Sequence, residues 1–190
     1  PPNSDSVAWL DRDMTSAKSA PATKSVGFRR TRMSLQSVKA FFSEHAPDIE
    51  VIETPTSSAT VALAAEAHGV EPGQIAKTIC MRVGDRVLLV VARGDARIDN
   101  RKSRDAFGGK PRMLDAEQVV EITGHPVGGV CPFGLASPLP IYCDTSLRAY
   151  EEVVPAAGAT NAAVRIGVER MAQLTGAEWC DICEERKAPQ

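Results

Sequence analysis

The stretch that decides the fold is IAKTICMRVGDRVLLVVA, Ile75–Ala92. Two runs rich in β-branched and apolar residues, Ala76–Val83 and Arg86–Ala92, flank Gly84-Asp85. A two-residue turn with glycine between such runs predicts a β-hairpin. The second run, Val-Leu-Leu-Val-Val, is apolar on both alternating faces, which places it inside a sheet rather than at its edge. In the first run, alternation puts Lys77 on one face with Ile75 and Ile79, opposite Ala76, Thr78 and Cys80. A lysine there either snorkels to solvent or points into a cleft as a fixed cation.

Outward from the hairpin the chain alternates irregularly. Upstream, Leu35, Val38 and Phe42 fall at helical spacing, with Ser34 as N-cap and an end near Ala46 before Pro47. Asp48–Glu53 reads as a strand, and an Ala-rich helix capped by Ser57 or Ser58 runs to His68 with Gly69 as its stop. Downstream, Asp99 caps a basic helix that ends at Gly108, and Asp115 with Gln118 opens another that stops at Gly124. Strands follow at Leu139–Cys143, Glu152–Val154, Ala163–Val168 and Trp179–Cys183, with a helix over Glu169–Leu174 closed by Gly176. Strands and helices mix without strict βα alternation. A mixed α/β sheet is therefore expected rather than a doubly wound parallel one. Residues 1–33 and 186–190 carry no sustained period and read as tails, leaving one domain over 34–185.

Composition excludes several classes. The 190 residues carry a net charge of -2, so a broad basic surface for coating nucleic acid is not expected. Charge is uneven, however. Residues 93–112 hold seven Lys/Arg against three Asp, and Arg97, Arg101, Lys102 and Arg104 in it are either a solvated face or contacts for phosphates. No apolar run approaches the roughly 20 residues of a membrane helix. Five cysteines, an odd number, fit reduced thiols and a cytoplasmic location better than a disulfide framework.

Three places can carry chemistry. The segment HPVGGVCPFG, His125–Gly134, packs three glycines and two prolines into ten residues. It is either a tight connection or a stiff loop presenting backbone N–H groups to an oxyanion. Asp144, after the strand ending Ile-Tyr-Cys, either caps the following turn or meets a ligand. Cys180-Asp181-Ile182-Cys183 has CxxC spacing but no second pair to complete a zinc site, and it does not open a helix as a redox motif would. Cys131 is a conceivable nucleophile, with only His45, His68 and His125 available as bases.

In order along the chain, Ile75-Ala76-Lys77-Thr78, the apolar strand, Leu114–Val119, Thr123–Gly134 and Leu139-Pro140-Ile141 resemble the YbaK-type aminoacyl-tRNA deacylases. These are relatives of the editing domain inserted in bacterial prolyl-tRNA synthetases. The resemblance runs from about Ser34 to Ile182. It implies a compact domain whose barrel-like mixed sheet is surrounded by helices. It also implies metal- and cofactor-independent hydrolysis of an amino acid wrongly esterified to tRNA. The family's lysine matches Lys77, and its Gly-to-Pro loop matches Gly128, Gly129, Val130, Cys131 and Pro132, with Phe133 following. Its aspartate matches Asp144. Its Gly-Ser-rich segment corresponds to Gly158–Asn161, where this chain departs in composition, and Asn161 is the substrate contact expected there. Cys131 stands where relatives often have Ser, so a thiol nucleophile is not the implied mechanism. The implied partners are the acceptor end of a mischarged tRNA and an aminoacyl-tRNA synthetase, with Arg97, Arg101, Lys102 and Arg104 as acceptor-stem contacts. Two other readings stand beside this one: a non-catalytic tRNA-binding module, and a thiol-redox or zinc protein using Cys180 and Cys183.

Overall fold

A computed structural model describes the backbone of residues 23–184 and the side chains of 34–184. The hairpin forms as the sequence dictates. Strands Ile75–Val83 (β2) and Arg86–Arg93 (β3) pair over eight successive residues, from Ala76↔Arg93 to Val83↔Arg86, around Gly84 at a φ of 58°. The other strands are Ile52–Glu53 (β1), Arg112–Met113 (β4), Ile141–Asp144 (β5), Glu152–Pro155 (β6), Ala162–Ala163 (β7), Ile166–Gly167 (β8) and Glu178–Cys180 (β9). The main sheet runs β8-β6-β2-β3-β5-β9, with β4 also on β2; β1 and β7 form a separate pair. The β2–β6, β3–β5 and β5–β9 pairings are parallel and the rest antiparallel, so the sheet is mixed. It curls into a half-barrel, as expected.

β3 is central and buried on both faces. Leu89 and Val91 join the larger core with Val38, Phe42 and Phe133, while Leu88 and Val90 join a second core with Met81 and Phe107. Among the described residues there are five α-helices: Thr23–His45 (α1), Val61–His68 (α2), Asn100–Phe107 (α3), Ala116–Thr123 (α4) and Val168–Thr175 (α5). The caps of α3 and α4 are those expected. Asp99 accepts from Arg101 N and Lys102 N, and Asp115 accepts from Gln118 N. Gly69, Gly108, Gly124 and Gly176 end their helices in the left-handed conformation.

Several boundaries differ from expectation. The strand expected over Asp48–Glu53 forms only at Ile52–Glu53, that over Ala163–Val168 is broken into β7 and β8, and those at Leu139–Cys143 and Trp179–Cys183 are shifted to Ile141–Asp144 and Glu178–Cys180. α2 is capped by Thr60, whose hydroxyl accepts from Leu63 N, because Ser58 is drawn away to the Thr160 carbonyl. α1 runs through Ser34, so that residue is not its cap; its hydroxyl instead meets His125. The backbone of 23–33, expected as tail, is helical; residues 1–22 and 186–190 of the expected tails, and Glu185 of the expected domain, lie outside the described residues. β4 carries no sequence signal, since two residues show no period.

Candidate functional site

The two edges of β2 are unlike. On the other edge from β3, β6 pairs with Ile75 and Ala76, and β4 pairs with Met81 and Arg82. Among the described residues no strand lies between them, so Lys77–Cys80 borders a gap. Arg93 N and Leu89 N point away from β2, toward Ser146 Oγ and Pro140 O. Antiparallel pairing then turns the peptide groups of their partners Ala76 and Cys80, and of Thr78 between them, away from β3. The peptides of Thr78 and Cys80 therefore face the gap.

A cavity of about 260 Å³ fills that gap. Residues from both faces of β2 line it, as a cavity lying against a strand edge requires. One wall is the start of α2, with Ser58, Ala59, Thr60, Val61 and Ala64; the other is Val119, Val127, Gly128 and Val130. Ala156, Ala162 and Ala163 close the end beside Val154, and Met113 and Leu114 stand at the rim. Small apolar residues dominate the lining, and among the described residues it contains no carboxylate and no imidazole.

Lys77 lines this cavity, half-buried. Its ammonium donates to Gly94 O at 3.1 Å and to Ala96 O. An ammonium has three donors, so one remains for a ligand. Burial pushes its pKa down, partly offset by Cys183 and Asp95. Thr78 Oγ1 is buried against the cavity without a hydrogen-bond partner. An unpaired buried hydroxyl is costly, and its presence in a cavity wall marks a place where a ligand supplies the partner.

The glycine loop is built from backbone contacts. Gly129 N–H donates to Pro126 O at 2.8 Å, closing a turn in which Gly128 holds a φ of 89°. That geometry fits a type II turn, which requires glycine at its third position. Gly129 packs so closely on the next loop that a Cβ would lie 2.7 Å from Ala159 N. Its N–H is thus committed to the turn, leaving Val127, Gly128 and Val130 as the loop residues that line the cavity. His125, fully buried, fastens the loop from behind. Its Nε2–H donates to Phe133 O at 2.8 Å, and its Nδ1 accepts from Ser34 Oγ at 2.5 Å. Ser37 Oγ adds a bond to Gly134 O at 2.9 Å. These roles of Ser34, Ser37 and His125 depend on contacts 91 and 97 residues apart in sequence, which no local pattern reveals.

Of the residues singled out from sequence, Lys77, Gly128 and Val130 meet at the cavity. Others face elsewhere. Phe133 packs in the core on Phe42, ring centroids 4.7 Å apart. Cys131 is fully buried, its Sγ 3.6 Å from His125 Nε2, and burial pushes its thiol up to about 12, which disarms it as a nucleophile. Pro132 is buried beside it and does not line the cavity. Asn161 Nδ2 donates to Thr54 O, tying two loops together. Asp144 caps its own turn at Ser146 N and accepts from Ile182 N and Cys183 N, so it anchors the C-terminal CxxC segment. Cys180 and Cys183 are both pushed up to about 12, by burial first and by the Asp144 charge. Lys102 binds Asp181 and the Cys183 carbonyl, and Arg101 stands 4.0 Å from Asp105. Neither these two nor Arg97 and Arg104 line the cavity.

Residues 56–174 match the family model of the aminoacyl-tRNA editing domain. The chain belongs to that family. Its editing domain is 46% identical over 155 residues to the uncharacterized protein YwhH of Bacillus subtilis, covering 80% of this chain and 99% of that one. It is 29% identical over 138 residues to a proline–tRNA ligase of Desulfovibrio desulfuricans, covering 72% of this chain but only 23% of that enzyme. A crystal structure described provisionally as a trans-editing enzyme for prolyl tRNA synthetase superposes with a TM-score of 0.75 at 35% identity, covering 80% of this chain and 98% of that one. The resemblance read from the sequence is thereby established at the level of family and fold. Among the described residues, no helix is long and apolar enough to cross a membrane.

Proposed function

We propose that this editing domain acts as a freestanding, cytoplasmic deacylase that hydrolyses the ester of a small amino acid mischarged on tRNA. The observation that carries the reading is the cavity at the bare edge of β2, where Lys77, Thr78 and Gly128 meet a lining of alanines and valines. An aminoacyl ester is already activated, so hydrolysis needs positioning more than a strong nucleophile. The small apolar lining receives a short side chain. The unpartnered Thr78 hydroxyl and the turned-out peptides of Thr78 and Cys80 receive the substrate's polar groups. Water, or water assisted by the neighbouring ribose hydroxyl, attacks the ester carbon. Negative charge gathers on the carbonyl oxygen, met by N–H groups of Gly128 and Val130 and by the free donor of Lys77. Collapse breaks the ester C–O bond, and the ribose oxygen leaves with a proton taken from the attacking water. No step draws on a metal or a thiolate.

Supporting the freestanding form is the near-complete coverage of the Bacillus relative and of the solved neighbour. The test is single-turnover hydrolysis over a panel of tRNAs mischarged with Ala, Ser, Cys and Thr, with and without chelator. Hydrolysis of one member, unaffected by chelator, is expected. A folded protein that binds these tRNAs and cleaves none is a tRNA-binding module instead.

A further inference from the structure

The antiparallel pair of β2 and β4 sets two arginines directly opposite each other, Arg82↔Arg112. Cross-strand partners share a face, so the guanidinium groups start side by side. Like charges in that position repel, and strands normally relieve this with a carboxylate neighbour. Here, among the described residues, neither arginine has an ion pair or hydrogen bond; the salt bridges of the domain lie elsewhere. Lys110, two residues before Arg112, is also exposed and without an ion pair among the described residues. An uncompensated cation pair is what an anionic partner would complete.

Its location says which anion. Alternation along β2 puts Arg82 in the same file as Thr78 and Cys80, which line the cavity. At about 3.3 Å per residue, Arg82 starts roughly 13 Å along the strand from Thr78 and about 7 Å from Cys80. Met113, next to Arg112, stands at the cavity rim 68% exposed, and Val127 stands there 58% exposed. The rim therefore offers cations and bare apolar surface together. Single-stranded RNA needs both, cations for phosphates and apolar side chains for unstacked bases. A free phosphate has no use for the second, and the cavity beside this rim directs the choice to the RNA end whose ester must enter it.

We propose that Arg82 and Arg112 bind the phosphodiesters that precede the terminal ribose of the tRNA 3′ end, with the terminal base resting on Met113 and Val127. This rests on the deacylase reading for its direction, since the ester must reach the cavity, but it is tested without hydrolysis. It also moves the RNA contact from α3, where Lys102 is engaged with Asp181, to the β2–β4 edge.

The probe is an uncharged RNA hairpin with a single-stranded 3′ end closing in CCA, compared with the same hairpin blunt-ended. Binding is followed by fluorescence anisotropy across a salt series. Two single-strand phosphates contribute a log–log salt slope of about −0.7 each. Arg82→Gln with Arg112→Gln should therefore flatten the slope by about 1.4 and weaken binding of the tailed hairpin roughly tenfold at low salt. Removing a repelling pair should leave the melting temperature unchanged or raised, which separates lost binding from lost folding. The same exchange on α3, Arg101→Gln with Arg104→Gln, tests the other location. A wild-type protein that does not prefer the tailed hairpin overturns the proposal. So does a β2–β4 variant that keeps the wild-type slope, or a slope that falls only on changing α3. Should the panel of mischarged tRNAs go uncleaved while the tailed hairpin binds through Arg82 and Arg112, the deacylase reading fails and the RNA surface stands.

Discussion

The two edges of β2 carry opposite kinds of information. Toward β3 the strand is paired residue by residue for eight steps, and every peptide group there has its partner in the ladder. Toward β6 and β4 it is paired at both ends and, among the described residues, bare in the middle. The first edge builds the domain, because continuous pairing buries the apolar residues of β3 on both faces. The second edge is where the fold leaves polar groups without partners beside an apolar cavity. A bare central edge is normally a liability. Here the liability is shielded by α2 and the glycine loop, which turns it into a recess with backbone donors and acceptors in its wall.

The strongest way to break this contrast is to remove the cation at the gap. Lys77→Ala should lower deacylation by on the order of 10²–10³, the scale of losing one preorganised charge-stabilising donor. It also leaves the carbonyls of Gly94 and Ala96 short of a partner, so a stability cost of about 1–3 kcal/mol accompanies it. Circular dichroism separates the two effects. A folded variant that hydrolyses its best substrate at the wild-type rate removes Lys77 from the site.

Next in size is the loop. Gly129→Val forces a Cβ onto the Ala159 backbone and should cost 1–3 kcal/mol or more by overpacking, with a lowered melting temperature and reduced turnover. The loss of activity should track the loss of loop packing, because the Gly129 N–H is bound within its turn. A variant with normal stability and no activity would instead mean that Gly129 itself faces the substrate.

Thr78→Val sharpens the comparison by separating stability from function at one atom. The hydroxyl is buried and unpartnered, so replacing it with a methyl relieves a desolvation cost of about 1–3 kcal/mol. The variant should melt at the same temperature or higher and yet deacylate about tenfold more slowly, the scale of one lost hydrogen bond to substrate. Lower stability with unchanged turnover would show that Thr78 Oγ1 serves the protein rather than the ligand.

The sequence carries the first edge far better than the second. The hairpin, the caps Asp99 and Asp115 and the glycine stops are local events, governed by turn geometry and by side chains within three residues of the backbone they cap. Lys77 was legible as an oddity because a charge on an apolar strand breaks a short-range pattern. The gap was not, since it arises from where β6 and β4 stop, and those strands are placed by contacts far along the chain. Thr78 gave no signal because threonine is an ordinary strand residue. Asp144 makes the turn cap that its place at a strand end allows, and its bonds to Ile182 N and Cys183 N come from residues too far along the chain to be read locally. The glycine loop showed its stiffness in sequence but not its purpose: Gly129 is small for Ala159, and His125 is buried to hold the loop to α1.

The smallest effect is on pH dependence, and it probes the back of the loop. Burial lowers the pKa of His125 and of His68, and Arg165 lowers the latter further. Both imidazoles are thus neutral in the folded protein at a pH where the unfolded chain has begun to bind protons. With the folded value depressed, the stabilisation is fully present above the unfolded pKa of about 6.5 and is lost as pH falls below it. A second loss lies at more acid pH. Asp48 is held low by Arg170, and Asp99 by the N–H groups of α3, so their contributions fade as pH falls through the ordinary carboxylate range and below. The two windows are separable. Melting temperature should be flat above about pH 7 and decline between about pH 6.5 and 5. His125→Gln should reduce that decline while keeping a donor toward Phe133 O, at some cost in absolute stability from the lost Ser34 contact. A wild-type melting temperature that does not change between about pH 7 and 5 would show that neither histidine is held neutral by burial. In that event His125 would have to be charged behind the loop, with both ring nitrogens donating, and Ser34 would accept rather than donate.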